Sequence, residues 1–342
     1  MSGAGAPALP LAEAVERLRA PDAFECWSPL TGEPVLVVDL TTESADEPGP
    51  ARAALAALPC PTVGYAPELA PGAAAWAPRF DALVQEPSDL EALVARVRRA
   101  PLAAQALVQI LRGSEQRDLE SGLAVESFAY SALQAGPEFA AWLAARGAPR
   151  HAAESRADAP LRVQRDGPQL HLTLDRPARR NAWSAAMRDA LVEALELALR
   201  DGSIREIVLD GAGPAFCGGG DLDEFGSLPD PATAHAIRLT RSPARLVAAC
   251  AARLRAELHG ACVGAGIELP AFAGRIVARE DAFFELPELG LGLVPGAGGT
   301  VSLPRRVGRQ RTAWLALTGA RLDARSALSW GLIDEIRPDK TD

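Results

Sequence analysis

Two glutamates lie among glycines in the C-terminal half of the chain, Glu268 in the run Gly-Ala-Gly-Ile-Glu-Leu and Glu288 in the run Leu-Pro-Glu-Leu-Gly-Leu-Gly. A glycine turn leaves bare backbone facing a ligand, so N–H donors and a carboxylate can converge on one small space. Such a site can stabilise an oxyanion and transfer a proton. Glycine runs at residues 216–222 and 295–300 add small residues where backbone could approach a ligand closely.

The composition is that of an ordinary globular protein and excludes several classes of function. The chain has 342 residues, of which 48% are hydrophobic and 23% charged. A net charge of −9 argues against a nucleic-acid-binding protein, because phosphate recognition requires clustered Lys and Arg. The sequence contains no apolar run of roughly 20 residues and no charged start of a secretion signal, which predicts a cytoplasmic protein.

Metal and disulfide chemistry are not expected from the cysteine pattern. Five cysteines are widely spaced, no Cys-x-x-Cys pair occurs, and the chain has only four histidines. We therefore predict reduced, mostly buried thiols and no metal site. Cys217, although it adjoins the glycine run, is expected to be an inert buried thiol.

The elements that would position the two glutamates alternate between strands and helices. A polar, Ala/Pro-rich segment at residues 148–160 predicts a linker between two regions. Before it, residues 34–40 and 61–65 are typical of buried strands, and helices follow from residue 88, with Ser88 as a cap and Pro101 as an interruption. After it, strands are predicted at residues 170–174, 204–209, 255–259 and 275–278. Between them we predict helices that begin near residues 184 and 243, and a helix that contains Glu268. This alternation indicates right-handed β-α-β units.

Five ordered motifs in residues 161–338 resemble the crotonase superfamily, also called the enoyl-CoA hydratase/isomerase family. The motifs lie at residues 176–182, 216–222, 259–269, 284–292 and 295–300. The resemblance implies an α/β fold, a crotonase-like spiral of β-β-α units that binds acyl-coenzyme A thioesters. It also implies no cofactor beyond the coenzyme A of the substrate, and a homo-oligomer, either a trimer or a dimer of trimers.

The same resemblance assigns roles to individual residues. Glu268 and Glu288 match the two acid/base glutamates of the family's hydratases, and the amides of Gly218 and Ala265 match its oxyanion-binding donors. Contacts to substrate or coenzyme A are expected from Arg180, Ala182, Gly219, Gly220, Asp221, Leu222, Gly264, Pro287 and Gly296. Arg179 and Arg305 are further candidates for the coenzyme A phosphates, whereas Asp221 is favoured as a residue that fastens the glycine loop.

The N-terminal half is predicted to complete the site. Residues 88–147 resemble the terminal helices that the family carries after its core, which this chain lacks beyond residue 338. We expect these helices to cover a site formed by residues 161–338, with residues 1–87 as a degenerate region of short strands.

The leading function is therefore hydration of a 2-enoyl-CoA thioester by a lyase of fatty acid metabolism. An isomerase, a hydrolase, a cofactor-independent oxygenase or an inactive acyl-CoA-binding subunit remain alternatives, because the fold alone does not choose among them.

Overall fold

The N-terminal region folds around a small parallel sheet. A computed structural model describes residues 8–42, 49–148, 159–227 and 230–338. The sheet has the order β1-β2-β3-β4, and every neighbouring pair is parallel. Its strands are β1 (Leu9–Pro10), β2 (Leu36–Asp39), β3 (Thr62–Tyr65) and β4 (Ala82–Val84). The predicted strands at residues 34–40 and 61–65 are confirmed as β2 and β3, whereas β4 was not anticipated.

Both faces of this sheet are buried, as is usual for parallel strands. On β2, Val37 belongs to an apolar core that runs into the C-terminal half, while Leu36 and Val38 belong to a second core confined to the N-terminal region. The helices of this region are α1 (Leu11–Leu18), α2 (Ala23–Cys26), α3 (Pro50–Ala57), α4 (Pro87–Arg99), α5 (Pro101–Arg112), α6 (Leu119–Gln134) and α7 (Pro137–Arg146).

Helix α4 begins one residue earlier than predicted, and the expected cap at Ser88 is wrong. Pro87 occupies the first turn and Glu86 is the N-cap residue, with no side-chain cap. Proline is favoured at this position because its fixed φ suits the helix and its missing N–H would be unpaired there anyway. The interruption at Pro101 is confirmed, since α5 starts there.

The C-terminal region contains a six-stranded sheet and a three-stranded sheet. The large sheet has the order β13-β10-β8-β7-β6-β5 and is parallel except for the β5-β6 hairpin. Its strands are β5 (Leu161–Asp166), β6 (Gln169–Leu174), β7 (Glu206–Gly211), β8 (Leu254–Leu258), β10 (Arg275–Arg279) and β13 (Glu335–Arg337). The small sheet has the order β12-β11-β9, formed by β9 (Ala261–Val263), β11 (Phe283–Glu285) and β12 (Leu322–Asp323).

The chain passes between these sheets in a repeating β-β-α order. It runs from β8 in the large sheet to β9 in the small sheet and then into a helix, and it repeats this path from β10 to β11. The helices of this half are α8 (Ala185–Arg200), α9 (Pro231–Thr240), α10 (Pro243–Cys250), α11 (Ala265–Glu268), α12 (Gly299–Val307), α13 (Arg309–Thr318) and α14 (Ala324–Trp330). The spiral of β-β-α units predicted from the sequence is therefore confirmed.

The helices of the two halves pack against each other. Helix α6 contacts α9 and α12, and helices α4 and α5 contact α13. One apolar core contains Leu107 and Phe139 from the N-terminal half together with Leu289 and Val301 from the C-terminal half. Most of the predicted linker, residues 149–158, lies outside the described residues. Among the helices that the structure describes, none is both long and apolar enough to span a membrane.

Candidate active site

A cavity of about 620 Å³ lies between the N-terminal helices and the C-terminal region. Helix α6 supplies Glu126 and Tyr130 to its wall, and helix α7 supplies Phe139 and Leu143. The C-terminal region supplies, among others, Gly220, Asp221, Ala265, Glu268, Glu288 and Gly296. Residues from every glycine run of the sequence thus meet in one cavity, and the helices before the linker form part of its wall.

Glu268 and Glu288 flank one small space beside Gly264. Gly264 has a φ of +51°, and a Cβ at this position would lie 2.4 Å from Glu288 Oε1 and 3.8 Å from Glu268 Oε1. A side chain here would be strained and would collide with the Glu288 carboxyl, so the turn requires glycine. Gly264 accordingly allows both carboxyls to approach the same backbone turn.

The Glu268 carboxyl is fixed by the loop that precedes α12. Its Oε2 accepts hydrogen bonds from the amides of Ala297 (2.7 Å) and Gly299 (2.9 Å). The first amides of a helix lack partners within the helix, so they are available to a carboxylate. Ser302 Oγ donates to the Glu268 backbone carbonyl at 2.7 Å, which fixes the other end of this residue.

Glu288 lines the cavity, and one of its two carboxyl oxygens is unpaired. It opens a short 3-10 helix, Glu288–Leu291, after β11. The residue is half-buried because it lines the cavity, but its Oε2 is enclosed and has no hydrogen-bond donor among the described residues. A buried unpaired carboxyl oxygen is costly unless a ligand or water satisfies it, which is typical of a functional group.

A third carboxyl, Glu126 of α6, reaches the same loop from the N-terminal half. Its side chain is only 3% exposed, and Oε1 accepts from the Gly298 amide at 2.7 Å. Its Oε2 accepts from the Thr300 amide at 2.9 Å and from the Thr300 hydroxyl at 2.7 Å. The N-terminus of α12 is thus held by carboxyls from both halves of the chain.

Burial raises the pKa of all three carboxyls. It raises the pKa of Glu126 to about 7, although the donors of Thr300 and Gly298 oppose the shift. It raises the pKa of Glu288 to about 8, with the charges of Glu285 and Glu126 adding to the effect. The pKa of Glu268 is well above its usual range, first because of burial and then because of the neighbouring charges of Glu288 and Glu126. Carboxyls in such a cluster share protons, so one can be an acid while another is a base near neutral pH.

The predicted oxyanion donor Gly218 is contradicted by the structure. Its amide donates to the Arg180 carbonyl at 2.7 Å, and the residue does not line the cavity. The Arg180 carbonyl is directed there by a left-handed backbone at Arg180 and Asn181, with φ values of 50° and 52°. Asn181 is buried and its side chain bridges Arg176 and Ala215, which holds this turn. The Gly218 amide is therefore unavailable to a ligand.

Two amides at the cavity wall, one of them in the predicted residue Ala265, are without an acceptor. Gly220 and Ala265 both line the cavity, and neither amide has an acceptor among the described residues. Ala265 is the first residue of α11, so its N–H has no partner within the helix. The segments that carry these amides lie together, because a Cβ at Gly266 would be 2.6 Å from the Cys217 carbonyl oxygen. The amides of Ala265 and Gly220, and not that of Gly218, are therefore the ones without an acceptor at the cavity wall.

Asp221 fastens the glycine loop through side chains. Its carboxylate pairs with Arg176 at 2.9 Å and with Arg179 at 3.0 Å, and Arg179 also pairs with Asp223 at 2.6 Å. These ion pairs occupy Arg179, which weakens its candidacy for coenzyme A phosphates. Arg180 is exposed beside Gly218, where its guanidinium can meet an anion at the surface.

Of the other residues predicted to contact substrate or coenzyme A, some line the cavity and others do not. Gly296 lines the cavity, where a Cβ would lie 2.4 Å from the Tyr130 ring. Among the described residues, the cavity wall does not include Ala182, Gly219, Leu222, Gly264 or Pro287. Arg305 donates to the Arg117 carbonyl at 3.3 Å, away from this wall. His259, which follows strand β8, donates from Nε2 to the Gly213 carbonyl oxygen at 3.0 Å.

Sequence reasoning missed Glu126 and Tyr130 as members of the site. Both lie in the stretch of α6 whose buried face also contains Leu123 and Leu133. The available signal was a single acidic residue on an otherwise apolar helical face, which is rarely buried without partners. The cysteines were predicted to be mostly buried, and four of them are: Cys60, Cys217, Cys250 and Cys262. Cys26 is exposed.

The fold and the cavity define a class of protein in which a β-β-α spiral places two neighbouring carboxyls and amides without acceptors around one cavity. Comparisons with known proteins agree. The family model for enoyl-CoA hydratase/isomerase matches residues 169–341. The chain is 40% identical over 178 residues to 2,3-dehydroadipyl-CoA hydratase of Escherichia coli (strain K12), covering 52% of this chain and 69% of that protein.

Further relatives include an isomerase and a solved structure. The chain is 37% identical over 176 residues to 1,2-epoxyphenylacetyl-CoA isomerase of the same organism, covering 50% of this chain and 67% of that protein. An enoyl-CoA hydratase/carnithine racemase from Magnetospirillum magneticum matches with a TM-score of 0.50 and 28% identity, covering 54% of this chain and 70% of that structure. The chain belongs to the enoyl-CoA hydratase/isomerase family, and the aligned segments span about two thirds of these relatives.

Proposed function

We propose that the protein adds water to the double bond of a 2-enoyl-CoA thioester. The observation that carries this proposal is the convergence of Glu268 and Glu288 beside Gly264, in the same cavity as the unpaired amides of Gly220 and Ala265. A hydratase needs two proton-transferring groups on the α and β carbons and donors for the thioester oxygen. The cavity contains one set of groups for each task.

In the proposed reaction, one carboxylate of the pair removes a proton from water while the water oxygen bonds to C3. The C2=C3 electrons move toward the thioester carbonyl, whose oxygen gains negative charge and accepts hydrogen bonds from Gly220 and Ala265. The carbonyl then reforms, and C2 takes a proton from the second, protonated carboxyl. Each well-aimed amide in a dry site supplies about 10² to 10³ in rate.

Proton sharing within the pair supports this division of labour. Burial raises the pKa of both Glu268 and Glu288, so one proton can remain on the pair near neutral pH. The Oε2 of Glu288 is enclosed and has no hydrogen-bond donor among the described residues, which favours the neutral, protonated form of this carboxyl. The assignment of acid and base belongs to the pair rather than to either residue.

Residues 88–147 are proposed to take the place of the family's terminal helices. The support is that α6 and α7 line the cavity and that Glu126 binds the loop before α12. A protein lacking residues 1–150 is therefore expected to lose fold or activity, and a truncated protein that stays folded, trimeric and active would contradict this placement. A cytoplasmic location and a homo-oligomer are part of the same proposal.

The proposed activity is tested with purified protein and crotonyl-CoA. Hydration is followed as loss of the enoyl-thioester absorbance, and mass spectrometry identifies the product across a panel of enoyl thioesters. We expect Glu268→Gln and Glu288→Gln each to lower kcat by about 10² to 10⁴, the usual contribution of an acid/base group. Glu280→Gln is the matched control, because Glu280 lies in an exposed ion pair with Arg325.

The outcomes separate the alternatives. A Glu288→Gln variant with full turnover would favour a double-bond isomerase, which needs one acid/base carboxyl. A wild-type protein that turns over no thioester but still binds coenzyme A tightly would favour an acyl-CoA-binding subunit and reject the hydratase.

A further inference from the structure

Two carboxyls from opposite halves of the chain hold four consecutive amides at the start of α12. The amides of Ala297 and Gly299 donate to Glu268 Oε2, at 2.7 and 2.9 Å. The amides between and after them, Gly298 and Thr300, donate to Glu126, at 2.7 and 2.9 Å. The bonds alternate along residues 297–300, so neither carboxyl can shift without moving amides that the other one binds.

We propose that Glu126 is a positioning residue that aims Glu268 through this shared loop. The inference rests on the proposed function, in which Glu268 transfers a proton. Because Glu268 Oε2 is bound to the loop, the position of the loop sets where Glu268 Oε1 lies relative to Gly264 and Glu288. Glu126 determines the position of the loop from the other side.

The contacts of Glu126 are buried, so their loss cannot be compensated by solvent. Glu126 and Thr300 are 3% and 1% exposed, and the Thr300 hydroxyl adds a third donor at 2.7 Å. Removing the carboxylate would leave two buried amides and a hydroxyl without an acceptor, which costs more than an ordinary hydrogen bond contributes. The expected response is a shift of residues 297–300 and a misaligned Glu268.

Glu126 also acts on Glu268 through charge. A negative Glu126 raises the pKa of Glu268, in addition to the effects of burial and Glu288. The other titratable or charged groups that face this cluster are Tyr130 and Arg238 near Glu126, Cys217 near Glu268, and Glu285 and Arg96 near Glu288. Replacing Glu126 by a neutral residue therefore lowers the pKa of Glu268.

The test compares three proteins with the wild type. Glu126→Gln keeps the size of the side chain but removes the charge and places an amide NH₂ group against N–H donors. Glu126→Asp keeps the charge on a shorter side chain. Glu120→Gln is the control, because Glu120 is an exposed acid on the same helix. Three quantities are measured: kcat and KM for an enoyl thioester, the pH profile of kcat, and hydrogen exchange at the amides of residues 297–300.

We expect Glu126→Gln to lower kcat by about tenfold or more while KM changes little, since the loss falls on alignment rather than on substrate binding. The acidic limb of its pH profile should move to lower pH, because the pair of Glu268 and Glu288 loses its first proton more easily. Exchange at residues 297–300 should accelerate. Glu126→Asp should retain more of the wild-type kcat than Glu126→Gln does, and its acidic limb should lie at the same pH as that of the wild type.

A Glu126→Gln protein with the kcat and pH profile of the control would overturn the proposal. The proposal would also fail if Glu126→Asp lost as much kcat as Glu126→Gln and the acidic limb of the pH profile stayed at its wild-type position in both variants. That pattern would describe a merely structural contact. If Glu126→Gln does not fold, the Asp variant and its exchange rates decide. If the wild type turns over no thioester, the proposed function fails; exchange at residues 297–300 and a carbon-13 titration of Glu268 then decide the positioning role alone.

Discussion

Replacement of Gly296 by alanine tests directly whether helix α6 covers the candidate site. The new Cβ would lie 2.4 Å from Cδ2 and Cε2 of Tyr130 and 3.2 Å from Cγ. Carbon atoms in contact are about 3.5 to 4.0 Å apart, so the ring or the loop must move by roughly 1 Å. The ring cannot yield freely, because Tyr130 is 8% exposed and the guanidinium of Arg238 lies 4.7 Å from its centre.

The size of the effect follows from this geometry. Overpacking of a buried contact costs about 1 to 3 kcal/mol of unfolding free energy. Each kilocalorie corresponds to about 2 to 4 °C in Tm for a chain region of this size. A displacement of about 1 Å in a loop that binds Glu268 can lower kcat by about 10²-fold. The assay is enoyl-thioester hydration together with thermal unfolding.

A double-variant cycle isolates the contact. In a Tyr130→Ala background the ring is absent, so the additional effect of Gly296→Ala on Tm and kcat should largely vanish. Gly202→Ala is the control, because a Cβ at Gly202 meets no atom within 4 Å. If Gly296→Ala costs the same with and without the Tyr130 ring, α6 does not lie on this loop and the cover of the site is placed wrongly.

Two further predictions concern stability. Asp81→Asn breaks the buried Asp81–Arg112 pair (2.6 Å) and should lower the free energy of unfolding, measured in urea, by about 3 kcal/mol. The control Glu13→Gln breaks an exposed pair with Arg17 and should lower it by about 0.5 kcal/mol or less. Equal losses in the two variants would contradict the argument. Glu288→Gln should raise Tm relative to the wild type increasingly from pH 5 to pH 8. Because burial raises the pKa of Glu288 from 4.5 to about 8, folded wild type binds more protons than the unfolded chain in this window and loses stability as pH rises; a Tm difference independent of pH would refute this.

Several strands and helix starts could be predicted because their signals are local. Residues 34–40 form a β-branched run after a proline, and β2 lies within it. Ser184 precedes an amphipathic stretch, and in the structure its hydroxyl accepts from the Met187 amide at 3.2 Å as the cap of α8. Local propensity and periodicity agree with the tertiary fold at these places, so the sequence is sufficient.

The sequence could not predict which glycine amide is left without an acceptor, because this depends on distant backbone. Gly218, Gly219 and Gly220 are identical as residues, and only the Arg180 carbonyl decides that the Gly218 amide is occupied. That carbonyl is directed by left-handed residues in a turn before α8. Glu126 was missed for a similar reason, since its acceptor atoms bind amides 172 and 174 positions further along the chain.

The N-terminal helices set the chemistry of the pair as well as the shape of the cavity. Burial is the largest cause of the raised pKa of Glu126, Glu268 and Glu288 alike. Helices α6 and α7 form one wall of the cavity that keeps these carboxyls from solvent, so exposing that wall would return their pKa values toward those of free glutamates. Both members of the pair would then be ionised near neutral pH, and the proposed reaction would lack its proton donor for C2. In the proposed reaction, docking of the N-terminal half would therefore be a condition for acid/base chemistry in the C-terminal half, and the contacts between the halves would affect turnover without touching substrate.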